Sequence, residues 1–170
     1  MKWMFPAVAL LAFFALPHLA FAQVSPQDQK WLQQAHQTNL AEIAAGKLGA
    51  QSGHAESIRM VGHTLATDHA EMDIQLRKVA QQLGVKLPDQ PNAQQKAVMD
   101  KLQQQHGMAF DQMWAHDEAD GHIQAIELTT FEANHGTAPQ VKQLAVEALP
   151  KLKKHYKLLT HAQSEIHGGP

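Results

Sequence analysis

Apolar residues in this chain recur at gaps of three and four, a spacing that returns side chains to one face of an α-helix and never to one face of a strand. The clearest stretch is Ile58, Val61, Leu65, His69, Met72, Leu76, Val79 and Leu83, and a second is Val141, Ala145, Ala148, Leu152, His155, Leu159, Ala162 and Ile166. Each stripe has one polar member, His69 in the first and His155 in the second. A third stretch runs Trp31, Ala35, Thr38, Glu42, Ala45, Gly49, and a fourth runs Phe110, Trp114, Glu118, His122, Ala125, Thr129. No segment shows the β-branched alternation of a half-buried strand. The pattern predicts an all-α, antiparallel up-down four-helix bundle, with a short extra helix between the second and third long helices.

Punctuation residues set the boundaries. Ser25-Pro26-Gln27-Asp28 supplies a cap, a proline at the first helical position and an acid to close the box. The first helix should run to about Ala50, the second from about Ala55 to Leu83 before Gly84, and a short one from the Asn92 cap. The fourth segment covers Met108 to Asn134, and the last runs from Thr137-Ala138-Pro139 to about Ile166. Pro150 lies inside that last segment and should kink the helix near Glu147, a kink that opens a cavity or follows the bundle's curvature. Trp31, Phe110, Trp114, Phe131 and Tyr156 read as the aromatic mass of the core.

The first 22 residues read separately. Met1-Lys2-Trp3 precedes an uncharged apolar run that ends in Ala20-Phe21-Ala22, the form of a cleavable export leader. The rival reading is a retained N-terminal anchor. Cleavage gives one helical-bundle domain over residues 23–166 and a tail over 167–170 expected to be disordered. It also places the protein in a periplasm or the medium, with association at an outer membrane and an envelope protein partner left open. No later window is apolar for long enough to span a bilayer. There is no cysteine, so an exported chain of this kind has no disulfide framework, no thiolate metal site and no thiol nucleophile. With 14 Lys and Arg against 16 Asp and Glu it is not a polybasic nucleic-acid binder. Phosphate-loop, dinucleotide, zinc-protease and serine-elbow motifs are absent.

Histidine is the exception to this plain composition, with 12 in the chain. Metal or proton chemistry must therefore run on imidazole and carboxylate. If the breaks near Gln51-Ser52 and Gly136 share an end, His69, Glu118, His122 and His155 fall at depths of roughly 22–28 Å, and Glu42 at roughly 14 Å. On that arithmetic three helices bring a His/carboxylate cluster together while Glu42 stays level with Glu147, bonded to a neighbour such as Arg59 or His63. Asp68, beside His69, can orient an imidazole from outside the cluster. Glu-x-x-His occurs in one place only, where a symmetric di-iron centre takes one from each of two helices, so such a centre is disfavoured. The bland alternative is a set of core histidines that satisfy one another.

The chain also resembles a bacterial exported family, domain of unknown function 4142, whose members are similar to ferritin-like bundles. The resemblance rests on Asn39-Leu40-Ala41-Glu42-Ile43, Ala66-Thr67-Asp68-His69 and Leu83-Gly84-Val85-Lys86-Leu87-Pro88. It continues with His106-Gly107-Met108-Ala109-Phe110-Asp111, Gly121-His122 and Ala148-Leu149-Pro150-Lys151-Leu152-Lys153-Lys154-His155. It implies an extracytoplasmic helical protein without an established reaction, and its typical residues fall on Glu42, Asp68, His69, His122 and His155. Three functions follow as alternatives. One is an exported bundle holding a divalent transition metal through His69, His122 and His155, with Glu118, Asp68 and Glu42 as carboxylates around it. The others are a ferritin-like metal-dependent oxidoreductase and a metal-free structural or partner-binding bundle.

Overall fold

The structure, a computed structural model, describes residues 24–168; the leader expected over residues 1–22 lies outside them. The described residues are all-α, with five helices: α1 Pro26–Ser52, α2 Glu56–Gln82, α3 Ala93–Leu102, α4 Gly107–His135 and α5 Pro139–His167. Ser25 caps α1 with a reciprocal Ser25–Asp28 capping box, and Asn92 does the same for α3 with Gln95. Gly84, after α2, and Gly107, which opens α4, take positive φ, as glycine does at little cost. Most stripe positions of α2 and α5 are buried as the periodicity predicts, with His69 and His155 at their centres, while Met72, Val79, Leu83 and Ala148 are only half-buried. Phe131 differs from expectation: it points outward, stacked on His135 one turn later.

Two apolar clusters define the ends of the molecule. One joins Ile58 of α2 to Phe110 and Trp114 of α4 and to Leu159 and Ile166 of α5. The other joins Trp31 of α1 to Leu76 and Ala80 of α2 and to Val141 and Ala145 of α5. The α1–α2 turn therefore lies at one end and the α4–α5 turn at the other. This overturns the shared end assumed in the depth arithmetic. The reason is the connection that holds α3: it carries the chain the length of the molecule between α2 and α4, a path that stripe periodicity does not encode.

Each turn is pinned by a buried carboxylate from a different helix. Asp111 of α4 accepts the backbone N–H groups of His54 and Ala55, at 2.8 and 2.7 Å, where α2 begins without a cap of its own. Asp28 of α1 accepts the backbone N–H of Thr137 at 2.9 Å and of Ala138 at 3.2 Å, at the start of α5. Burial alone would push the Asp28 carboxyl up, but the hydrogen bonds from Ser25 and Thr137 hold it well below the usual carboxylate range. A charged acceptor at these helix starts also answers the dipole.

The α1–α2 pair approaches to backbone contact. A Cβ on Gly62 would lie 2.5 Å from the Ala50 nitrogen, and one on Gly46 would lie 2.7 Å from the Gly62 oxygen. Trp114 fills the space over Gly49 and donates its indole N–H to the Ala45 carbonyl at 2.9 Å. This close approach sets how far side chains of α1 reach toward α2. Gly62→Ala should force the two helices apart and cost about 1–3 kcal/mol, read as a lower urea midpoint at unchanged slope. A midpoint equal to wild type would show that the contact is not needed.

Candidate metal centre

Midway between the two apolar clusters, α2, α4 and α5 each contribute one fully buried imidazole: His69, His122 and His155. Their ring centroids form a near-equilateral triangle with sides of 5.5, 5.2 and 5.4 Å. One nitrogen of each ring faces the centre, and all three lie within 4.8 Å of one another. His69 Nε2 is 3.5 Å from His122 Nε2, which in turn is 3.3 Å from His155 Nδ1.

The outward nitrogens decide the tautomers. His122 donates from Nδ1 to the Glu118 carbonyl at 2.8 Å, and His155 donates from Nε2 to the Asp68 carboxylate at 2.8 Å. His69 donates from Nδ1 to Asn39 Oδ1 at 2.9 Å. With its proton committed outward, each neutral ring turns a lone pair inward. Burial pushes His69 and His122 down from the ordinary histidine range and outweighs the Asp68 partner at His155, so the neutral forms are the favoured ones. Three lone pairs then meet with no hydrogen between them.

Carboxylates border the triangle. Glu42 of α1 lies 4.0 Å from His69 Nε2 and 3.9 Å from His122 Nδ1, and Glu42, Glu118 and His122 form a second close group. The expectation that Glu42 lies away from the cluster is therefore wrong. With the ends correctly assigned and depths counted from each helix's own terminus, Glu42, Glu118, His155, His69 and His122 fall at roughly 15, 17, 18, 20 and 22 Å. Nor does Glu42 pair with Arg59, which donates to the Gly53 and His54 carbonyls, or with His63, which is exposed. Glu147 is a surface residue bonded by Gln143.

Glu42 and Glu118 lie side by side, with a carboxylate oxygen of each within 4.8 Å of the other. Burial raises both carboxyls, and the neighbouring Glu42 charge raises Glu118 further. One Oε2 of each remains buried without a hydrogen-bond partner. Such orphaned acceptors are costly in a native interior, and a cation is one way to satisfy them.

Several buried polar residues escaped the sequence reading. Asn39, which fixes the His69 ring, lies one position from the stripe traced through Thr38. His36 and Asp73 form a buried pair at 2.6 Å one turn further along. The available signal was the three-residue spacing of His36, Asn39 and Glu42, a polar row beside the apolar one. Glu132, near Asp28, is raised to about 7 by burial and by that carboxylate, and it has no counterpart in the sequence reading.

Comparison with known proteins identifies the class. A family model described as "Domain of unknown function (DUF4142)" matches residues 14–163, and the chain belongs to that family. No curated protein matches it. Among solved structures it is similar to the crystal structure of a DUF305 fragment from Deinococcus radiodurans. The TM-score is 0.69 at 13% identity, over 83% of this chain and 97% of that one, a likeness of fold alone.

Acid should act on this interior in a defined direction. The three imidazoles titrate lower folded than unfolded, so the unfolded chain binds more protons below about pH 6.5, and stability falls as pH drops through that range. The raised carboxyls work oppositely, losing stability as pH rises above about 4.5. Wild type should therefore lose more stability between pH 8 and pH 5 than His69→Gln does, by denaturant melts at each pH. An equal loss would show that the buried imidazoles do not govern the acid limb.

Proposed function

We propose that the protein is an exported helical-bundle metal-binding protein, of antiparallel ferritin-like arrangement, that holds one divalent transition ion through His69, His122 and His155. The observation that carries this reading is the inward triangle of three lone pairs. An ion bonded to imidazole at about 2.1 Å with tetrahedral angles has ligand nitrogens about 3.4 Å apart. The two shortest nitrogen separations, 3.5 and 3.3 Å, fall on either side of that edge.

The surrounding groups fit the same purpose. Asp68, Asn39 and the Glu118 carbonyl act as outer acceptors that fix each ring's tautomer, the usual support for metal-bound histidine. Glu42, 4.0 Å from His69 Nε2, is the candidate fourth ligand, with Glu118 beside it. Imidazole donors without thiolate or thioether suit Zn(II), Cu(II), Ni(II) or Fe(II), and the tetrahedral edge favours Zn(II). Among the described residues no helix is long and apolar enough to cross a membrane, and nothing there indicates nucleic-acid binding. Export rests on the leader-like residues 1–22, and periplasmic placement, outer-membrane association and an envelope partner follow from it as part of this proposal.

Titration of metal-free protein with Zn(II), Cu(II), Ni(II) and Fe(II) tests the site. One equivalent should bind at micromolar affinity or tighter and raise the unfolding midpoint, by about 2.7 kcal/mol of stability at a hundredfold excess over Kd. His69→Ala and His155→Ala should abolish the effect, and Asp68→Asn should weaken binding about 10–100-fold. An unchanged midpoint with all four ions would refute it. Export has its own test. Expressed in a bacterium with its leader, the protein should be recovered from the periplasmic fraction beginning at Gln23, and cytoplasmic recovery with residues 1–22 attached would contradict it.

A further inference from the structure

A cavity of about 390 Å3 lies between the α1–α2 pair and the α4–α5 pair, on the side of the imidazole triangle toward the α4–α5 turn. Its inner wall includes His69 and Asn39, and all four long helices line it. Most of that lining is apolar, with Trp31, Met72, Leu76 and Leu152 among the contributors. Native interiors are close-packed, with few voids larger than a water molecule, so a space of this size beside a polar centre is a feature rather than slack.

Two independent observations indicate what it takes. Ile74 and Leu128, large apolar side chains that remain about half exposed or more, at 62% and 51%, both line the cavity, so its apolar surface continues to solvent. The charged groups of the lining are disposed against ions: Lys151 is already paired with Glu71 at 3.0 Å, which leaves Glu147 as a net negative charge. Ala35, Ala125 and Ala148 keep the space open where a larger side chain would fill it.

We propose that this cavity binds an uncharged, mostly apolar small molecule of about nine to twelve non-hydrogen atoms, its one polar end directed at the His69 wall of the metal centre. The proposal rests on the metal reading for what that polar end meets; the pocket itself does not depend on it. An anion such as a fatty carboxylate meets the Glu147 charge and finds the cation of the lining, Lys151, already paired with Glu71.

Calorimetric titration of metal-free and zinc-loaded protein with 1-octanol, and separately with octanoate, tests the assignment. One molecule of 1-octanol should bind per chain with a sub-millimolar Kd, and octanoate at least tenfold more weakly. Ala148→Phe, and Ala35→Leu from the opposite side, should each weaken 1-octanol binding at least tenfold while keeping the helical circular dichroism signal and zinc affinity of wild type. Equal binding by wild type and both folded variants, octanoate binding as tight as 1-octanol, or no saturable binding up to the solubility limit would overturn it. Zinc binding without 1-octanol binding would overturn this inference alone, and 1-octanol binding without zinc binding would overturn the metal reading alone.

Discussion

Three neutral imidazoles, each with its proton committed to an outer acceptor, present their remaining lone pairs to one another in the middle of a helical interior. Left as they stand, those lone pairs repel, and none of the rings has a hydrogen to offer its neighbour. A cation at the centre converts the same geometry from a cost into a set of bonds. The flanking Glu42 carboxyl lies within 4.0 Å of two of the rings, where its oxygens could reach an ion held there. The arrangement is one that could hold a metal ion.

The rest of the fold holds that triangle in place. Apolar clusters on both sides seal it from water at the two ends. Gly46 and Gly62 let α1 approach α2 at backbone contact, and Asn39 on α1 bonds the His69 ring. Asp111 and Asp28 fix the two turns from neighbouring helices, so α2 and α5 enter the interior at set heights. Because α2, α4 and α5 each supply one imidazole, relative sliding of these helices would break the triangle. The cavity on the side of the α4–α5 turn departs from this close packing.

Much of this was legible in the amino-acid order. An imidazole at a stripe position is a strong signal because the stripe must face inward, and both His69 and His155 were found that way. Glu118 and His122 followed from a four-residue spacing on one face. Glu42 was visible as a polar intruder but placed at the wrong depth, since the error lay in which helix ends meet. That choice is made by the connection through α3, whose path leaves no periodic trace. Asn39, Asp111 and Glu132 were missed for a related reason. Each serves a partner on another helix, and such service becomes visible only once the helices are set side by side.

X-ray absorption fine structure of the zinc-loaded protein measures the central claim most directly, because it counts the atoms bonded to the ion. Three imidazole nitrogens at about 2.0–2.1 Å, with the outer-shell scattering of their rings and one further oxygen ligand, are the result this account predicts. A shell of oxygens without imidazole scattering would contradict it.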